Sequence, residues 1–172
     1  MVNPMVGTGP VRWPFVALPW FHKQANRRRH APTGEVTMPV IVVTRLRLKD
    51  PAFFEDFFAH AIAVVEQAKN SPGNLDADVL AEANNTYWTR TAWQERGLMD
   101  AFVGSEPHLG TMGRLGDWCD EATFVDWEQA GADLPGWQDS YQRLVADGQA
   151  ASLADATEAH HTRDFPAPVV PS

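Results

Sequence analysis

Apolar and polar residues change their period several times along the chain, and each change marks an element. Val40-Ile-Val-Val-Thr-Arg-Leu-Arg-Leu48 is β-branched at first and then alternates, which is the pattern of a strand. One face carries Val40, Val42, Thr44, Leu46 and Leu48; the other carries Ile41, Val43, Arg45 and Arg47. Asp50-Pro51 follows, a helix-capping residue with a proline suited to the first turn. Phe53, Phe54, Phe57, Phe58, Ala61, Ile62 and Val65 then recur at helical spacing, with Glu55, Asp56, Glu66 and Gln67 on the other side. The breakers of Asn70-Ser-Pro-Gly73 end this helix.

A weaker strand is predicted over about 77–83. Asn84-Asn85 tolerates positive φ and turns the chain into a further strand at Thr86–Trp93. Residues 94–104 form a short helix with Leu98, Met99, Phe102 and Val103 inward. Ser105-Glu-Pro107 starts a second helical piece over 108–115. A last strand spans 123–127, and Leu134-Pro-Gly-Trp137 opens a helix with Trp137, Tyr141, Leu144 and Val145 on one side. The order β-α-β-β-α-β is the α+β, ferredoxin-like arrangement, an antiparallel sheet with helices on one face. The bare face needs cover. The simplest cover is the same face of a second copy, so a homodimer is expected.

Composition divides the chain into a basic, aromatic arm (1–37), the sheet domain (38–150) and a tail (151–172). The first 34 residues carry five basic side chains and no acid, although the whole chain has 14 basic and 22 acidic residues and a net charge of −8. An acidic body is a poor nucleic-acid surface, because counterion release needs clustered positive charge. The arm, with Trp13, Phe15, Trp20 and Phe21, is expected to pack on its own body or a neighbouring subunit. No apolar run approaches the roughly 18 residues of a membrane span. Trp13 to Trp20 is broken by Pro14 and Pro19 and lacks the basic start of a signal peptide. A single cysteine, Cys119, permits no internal disulfide, and a cytoplasmic location without membrane contact is expected.

Chemistry narrows by subtraction. His22, His30, His60, His108, His160 and His161 form no His-x-x-x-His pair or Glu-x-x-His motif, so no metal site is expected. His60 falls at the rim of the first helix's apolar face, and His160-His161 is expected to face solvent. Acids beside Cys119 disfavour its thiolate, and no Gly-x-Ser-x-Gly elbow exists. Gly113-Arg-Leu-Gly116 and Gly7-Thr-Gly9 are too short for a nucleotide-binding loop. What remains is Trp88, Arg90 and Trp93 on one strand, then Phe102, His108, Met112 and Trp118. A neutral imidazole among aromatics suits a general base near neutral pH. His108 is equally suited to closing the turn at Pro107, the arginines to pairing with acids, and the tryptophans to the core.

Trp93, Leu98, Phe102-Val103, Ser105, His108, Met112 and Trp118 together resemble the pattern of the antibiotic-biosynthesis-monooxygenase-like superfamily of dimeric α/β-barrel proteins. Within it the chain looks most similar to a branch related to the spheroidene-monooxygenase-like group, a likeness that extends to Leu134-Pro-Gly-Trp137, Leu144 and Asp147-Gly148 and covers about residues 38–150. The resemblance implies a pocket between sheet and helices and a monooxygenase-like reaction on a hydrophobic aromatic or polyene small molecule. It carries over to His108 on the second helical segment and Trp93 at the strand end; on the enzyme reading His108 is the acid/base or orienting group, with Arg45 or Arg90 to hold an oxyanion or enolate. Trp88, Trp93, Phe102, Met112 and Trp118 would line the pocket. No cofactor is required. Haem is compatible through His108, although the histidine of haem-degrading members lies nearer the position of Met112. A ligand-binding protein without catalysis, or a dimeric structural or regulatory protein, is the alternative.

Overall fold

A computed structural model describes residues 38–170; the proposed arm lies outside the described residues. β1 (Val40–Leu48) is central, antiparallel to both β3 (Thr86–Trp93) and β4 (Cys119–Glu128). β2 (Asn74–Glu82) flanks β3, and a two-residue β5 (Gln149–Ala150) flanks β4, giving the order β2-β3-β1-β4-β5. The β2–β3 hairpin turns at Asn85, whose φ of 61° is one that asparagine tolerates. Asp50 caps a 3₁₀ turn at Pro51–Phe53, which runs into α1 (Phe54–Asn70). Gly73, at φ 79°, closes the exit from α1, and a side chain there would collide with Leu98.

Helices α1, α2 (Arg96–Val103), α3 (His108–Gly113) and α4 (Leu115–Trp118) cover the face of Val40, Val42, Leu46 and Leu48. Two apolar clusters hold them there. Val40, Val42 and Trp93 meet Val64, Ala68, Met99 and Phe102; Leu48, Cys119 and Ala122 meet Phe57, Leu115 and Trp118. Among the described residues, no helix is long and apolar enough to cross a membrane.

The dimeric α/β barrel that the family resemblance implies is not formed, because the sheet is open, with β2 and β5 as its edges. The reason lies beyond β4. Helix α5 (Trp137–Asp147) lays Leu144 onto Ile41, Val43 and Val125, and Phe165 joins the same cluster. The face that called for a second copy is therefore filled from within the chain, and that argument for a dimer falls away.

Residues 151–170, tail-like in composition, form a strap. Ala151 N–H donates to Ala122 O (2.9 Å) and Thr157 N–H to Asp120 O (3.2 Å) along the edge of β4. Helix α6 (Glu158–Thr162) brings His160 into the interior, where Nδ1 accepts from Ala122 N–H (3.2 Å) and Nε2–H donates to Ala151 O (2.9 Å). The expectation that His160 faces solvent is thus overturned: it replaces a missing strand partner. The strap then passes Phe165 over the sheet and ends with Val169 N–H on Glu82 Oε1 (2.9 Å), at β2.

Candidate functional site

His108 opens α3 after the turn at Ser105-Glu106-Pro107, as the sequence suggests, and Gln67 of α1 fixes that turn. Gln67 Oε1 accepts from His108 N–H (2.9 Å), while its amide donates to Ser105 Oγ (2.8 Å) and Phe102 O (3.3 Å). Periodicity puts Gln67 on the polar side of the helix, so its use as a clamp is not visible from the pattern alone. The imidazole packs against Phe102, with ring centroids 4.7 Å apart. Its Nδ1–H donates to Val103 O (3.1 Å), closing the end of α2. The turn-closing role is therefore real, but it occupies one nitrogen only. Nε2 consequently carries the lone pair, and among the described residues it has no hydrogen-bond partner. Burial of the half-buried ring holds its pKa below the ordinary 6.5, opposed by the Val103 carbonyl.

His108 lines a cleft between α1, α2 and the sheet. The floor is Val42 and Thr44 of β1 with Thr89, Thr91 and Trp93 of β3, and the walls include Val64, Val65, Met99, Phe102 and Val103. Trp93 and Phe102 are stacked at 4.8 Å, and Trp93 Nε1–H donates to Thr91 Oγ1 (2.9 Å). The cleft is about 90 Å³, room for a small cluster of waters or a compact ligand. The Phe102 ring occupies a flank of the imidazole. Among the described residues, no group of three or more His, Cys, Asp or Glu side chains is placed to hold a metal ion.

Of the residues that the sequence nominated, the cleft gathers His108, Trp93 and Phe102. Met112 and Trp118 belong to the neighbouring cluster around Phe57, where Trp118 Nε1–H donates to Asp56 (2.9 Å). Arg45, Arg90 and Trp88 lie on the opposite face of the sheet. Arg45 is buried in an ion pair with Glu121, its guanidinium 4.2 Å from the Phe165 ring centre. Trp88 Nε1–H donates to Glu82 (2.6 Å). Arg90 pairs with Asp78 (2.6 Å), donates to Pro135 O and stacks on Trp137 at 4.0 Å. Two strand-borne arginines looked like oxyanion holders because alternation alone does not say which face is the pocket. Thr44, Thr89 and Gln67 were missed. The strand alternation that groups Thr44 with Val42 was the one signal that pointed to the cleft floor.

Cys119 is buried beside Asp120, and its thiol is pushed up to about 12, so it is no nucleophile. His60 takes part in a surface network. Its Nδ1–H donates to Asp56 O (2.9 Å), and Arg114 bridges His60 Nε2 (3.1 Å) and the Asp56 carboxylate (2.7 Å).

No family model matches the chain, and no curated protein matches it significantly. Solved structures do share its fold. PA3566 from Pseudomonas aeruginosa is 12% identical, with 57% of this chain and 100% of that chain covered and a TM-score of 0.50. Protein SO0527 from Shewanella oneidensis is 7% identical over 54% of this chain and 92% of that one, also at 0.50. SnoaB, a cofactor-independent oxygenase from Streptomyces nogalater, is 18% identical over 55% and 96%, at 0.45. For PA3566 and SO0527 the likeness is one of fold.

Proposed function

We propose that the cleft binds a compact, largely apolar ring compound, and that the chain acts on it as a monooxygenase-like oxidoreductase of the antibiotic-biosynthesis-monooxygenase-like superfamily. The observation that carries this reading is the state of His108: Nδ1–H is tied to Val103 O, Nε2 is unpartnered, and burial favours the neutral ring. A neutral imidazole in an apolar cleft is suited to taking a proton from an acidic O–H or C–H of the ligand. The anion left behind is electron-rich and can reduce dioxygen. One oxygen atom enters the product and the other leaves as water, with two hydrogens and two electrons supplied by the substrate. Trp93 and Phe102 offer aromatic surface for the ring. The resemblance of the pattern from Trp93 to Trp118 supports the superfamily reading, and the monooxygenase-like class follows from that resemblance.

Oxygen uptake by the purified protein, measured against a panel of hydroxylated one- and two-ring aromatics, tests this. Turnover of at least one compound is expected, with a loss of about 10²–10⁴-fold in His108→Ala, the range for a general base. Binding of such compounds without any oxygen uptake would refute the catalytic part. A Soret band appearing on addition of haemin and lost in His108→Ala would replace it with haem binding.

A further inference from the structure

The cleft, carbon-rich apart from Asp78 and His108, carries three threonine hydroxyls on its floor, and they are not equivalent. Thr91 Oγ1 is used, accepting from the Trp93 indole. Among the described residues, the hydroxyls of Thr44 and Thr89 have no hydrogen-bond partner, and both side chains are partly open to the cleft. Thr44 on β1 stands directly opposite Thr89 on β3 in the ladder. Directly opposed residues have Cβ atoms about 5 Å apart, so one atom above the pair can touch both hydroxyls. Valine would fill the same volume and suit the strands as well. Two hydroxyls at this place lose their water when an apolar ligand enters, which disfavours binding unless the ligand replaces it.

From this juxtaposition we infer that Thr44 and Thr89 form a subsite for a single ligand oxygen, hydroxyl or carbonyl, so that the compound taken by the cleft is an oxygen-bearing ring and not a hydrocarbon. A hydroxyl both donates and accepts, so the pair serves a phenol and the phenolate or enolate that follows proton loss equally well. The inference rests on the reading of the cleft as a small-molecule site and adds what that site recognises. His108 takes the proton from one side, and the threonine pair holds the oxygen on the floor. The threonine pair and His108 thus supply orienting polar contact in a mainly apolar cleft.

Phenol and toluene have nearly the same shape and differ in the one group at issue. Each is titrated into the full chain while backbone amide shifts of cleft residues are followed by NMR, for the native sequence, Thr44→Val, Thr89→Val and the double variant. Phenol affinity is expected to fall about tenfold in the double variant, the equivalent of one to two net hydrogen bonds. Toluene affinity should hold or rise. Unchanged phenol affinity in the double variant, with both probes still shifting cleft amides, would overturn the subsite while leaving the cleft reading intact. Parallel loss of both probes would overturn it too, since the change would not be specific to oxygen. Failure of either probe to perturb the cleft of the native chain would refute both the subsite and the reading beneath it. Thr→Val conserves volume, and the single variants give the same comparison if the double one folds poorly.

Discussion

Replacing Gln67 by alanine should change the titration of a histidine that Gln67 touches only through the backbone. Gln67 makes two short bonds, to His108 N–H at 2.9 Å and Ser105 Oγ at 2.8 Å, and a longer one to Phe102 O at 3.3 Å. A neutral hydrogen bond contributes about 0.5–1.5 kcal/mol net. Gln67 is only partly buried, so the loss should sit in the lower part of the summed range, at about 1.5–2.5 kcal/mol. The more telling effect is on the imidazole. Its pKa is depressed because the turn holds it half-buried against Phe102. Freed of its clamp, the ring gains water, and its pKa should rise toward 6.5. Gln67→Glu should raise it further, by placing a carboxylate beside the turn. Urea unfolding gives the stability, and NMR titration of the His108 ring gives the pKa. A stability loss with an unchanged His108 pKa would refute the positioning role, leaving Gln67 as packing only.

Four further outcomes follow from the same geometry. Glu121→Ala should cost about 3–5 kcal/mol in chemical unfolding, because it leaves Arg45 charged and buried without its partner, whereas Arg45→Met combined with Glu121→Leu should recover most of that loss. Phe165→Ala should cost about 3–5 kcal/mol and increase amide exchange along β1 and β3, since the ring seals the sheet over Arg45 and Trp88. Cys119 should resist thiol reagents at pH 8 in the native protein and react only on unfolding, which a timed labelling experiment reads directly. The pH profile should fall in two windows. His108 has a folded pKa below its unfolded 6.5, so the unfolded chain binds more protons there and stability drops as pH falls through 6.5 toward the folded value. Asp56 is held below 3.8 by its bonds from Arg114 and Trp118, so its share disappears only in stronger acid; thermal unfolding between pH 8 and 3 resolves the two.

The strands and first helix were legible because their periods are strong and local. Val40–Leu48 and Thr86–Trp93 fall within the runs that alternation marks, and Asp50-Pro51 marks the turn into α1. His108 was legible as the start of a helical piece for the same kind of reason. The assignment of faces was not. Trp137, Tyr141, Leu144 and Val145 announce a buried stripe, but nothing local says that the stripe meets Ile41 and Val43 instead of leaving them for another subunit. Arg45, Arg90 and Trp88 accordingly fall on the face away from the cleft, with partners Glu121, Asp78, Glu82 and Phe165 that no local pattern announces. The strap was hidden by its composition. Its proline and charge content resembles a tail, and its burial depends on a few anchors, chiefly His160 and Phe165.

One consequence of the Arg45–Glu121 pair concerns the order in which the chain is made. Arg45 belongs to the first strand, and its counter-charge arrives 76 residues later, about 4–15 s at ordinary rates of synthesis. An unpaired guanidinium costs several kcal/mol to bury, so the emerging β1 resists collapse on that face until Glu121 is available. The neighbouring Ile41 and Val43 would otherwise be free to recruit whatever apolar segment came first. A charge separated from its partner along the chain thus acts as a timing device, keeping the half-made sheet wet until the strand that completes it has been synthesised.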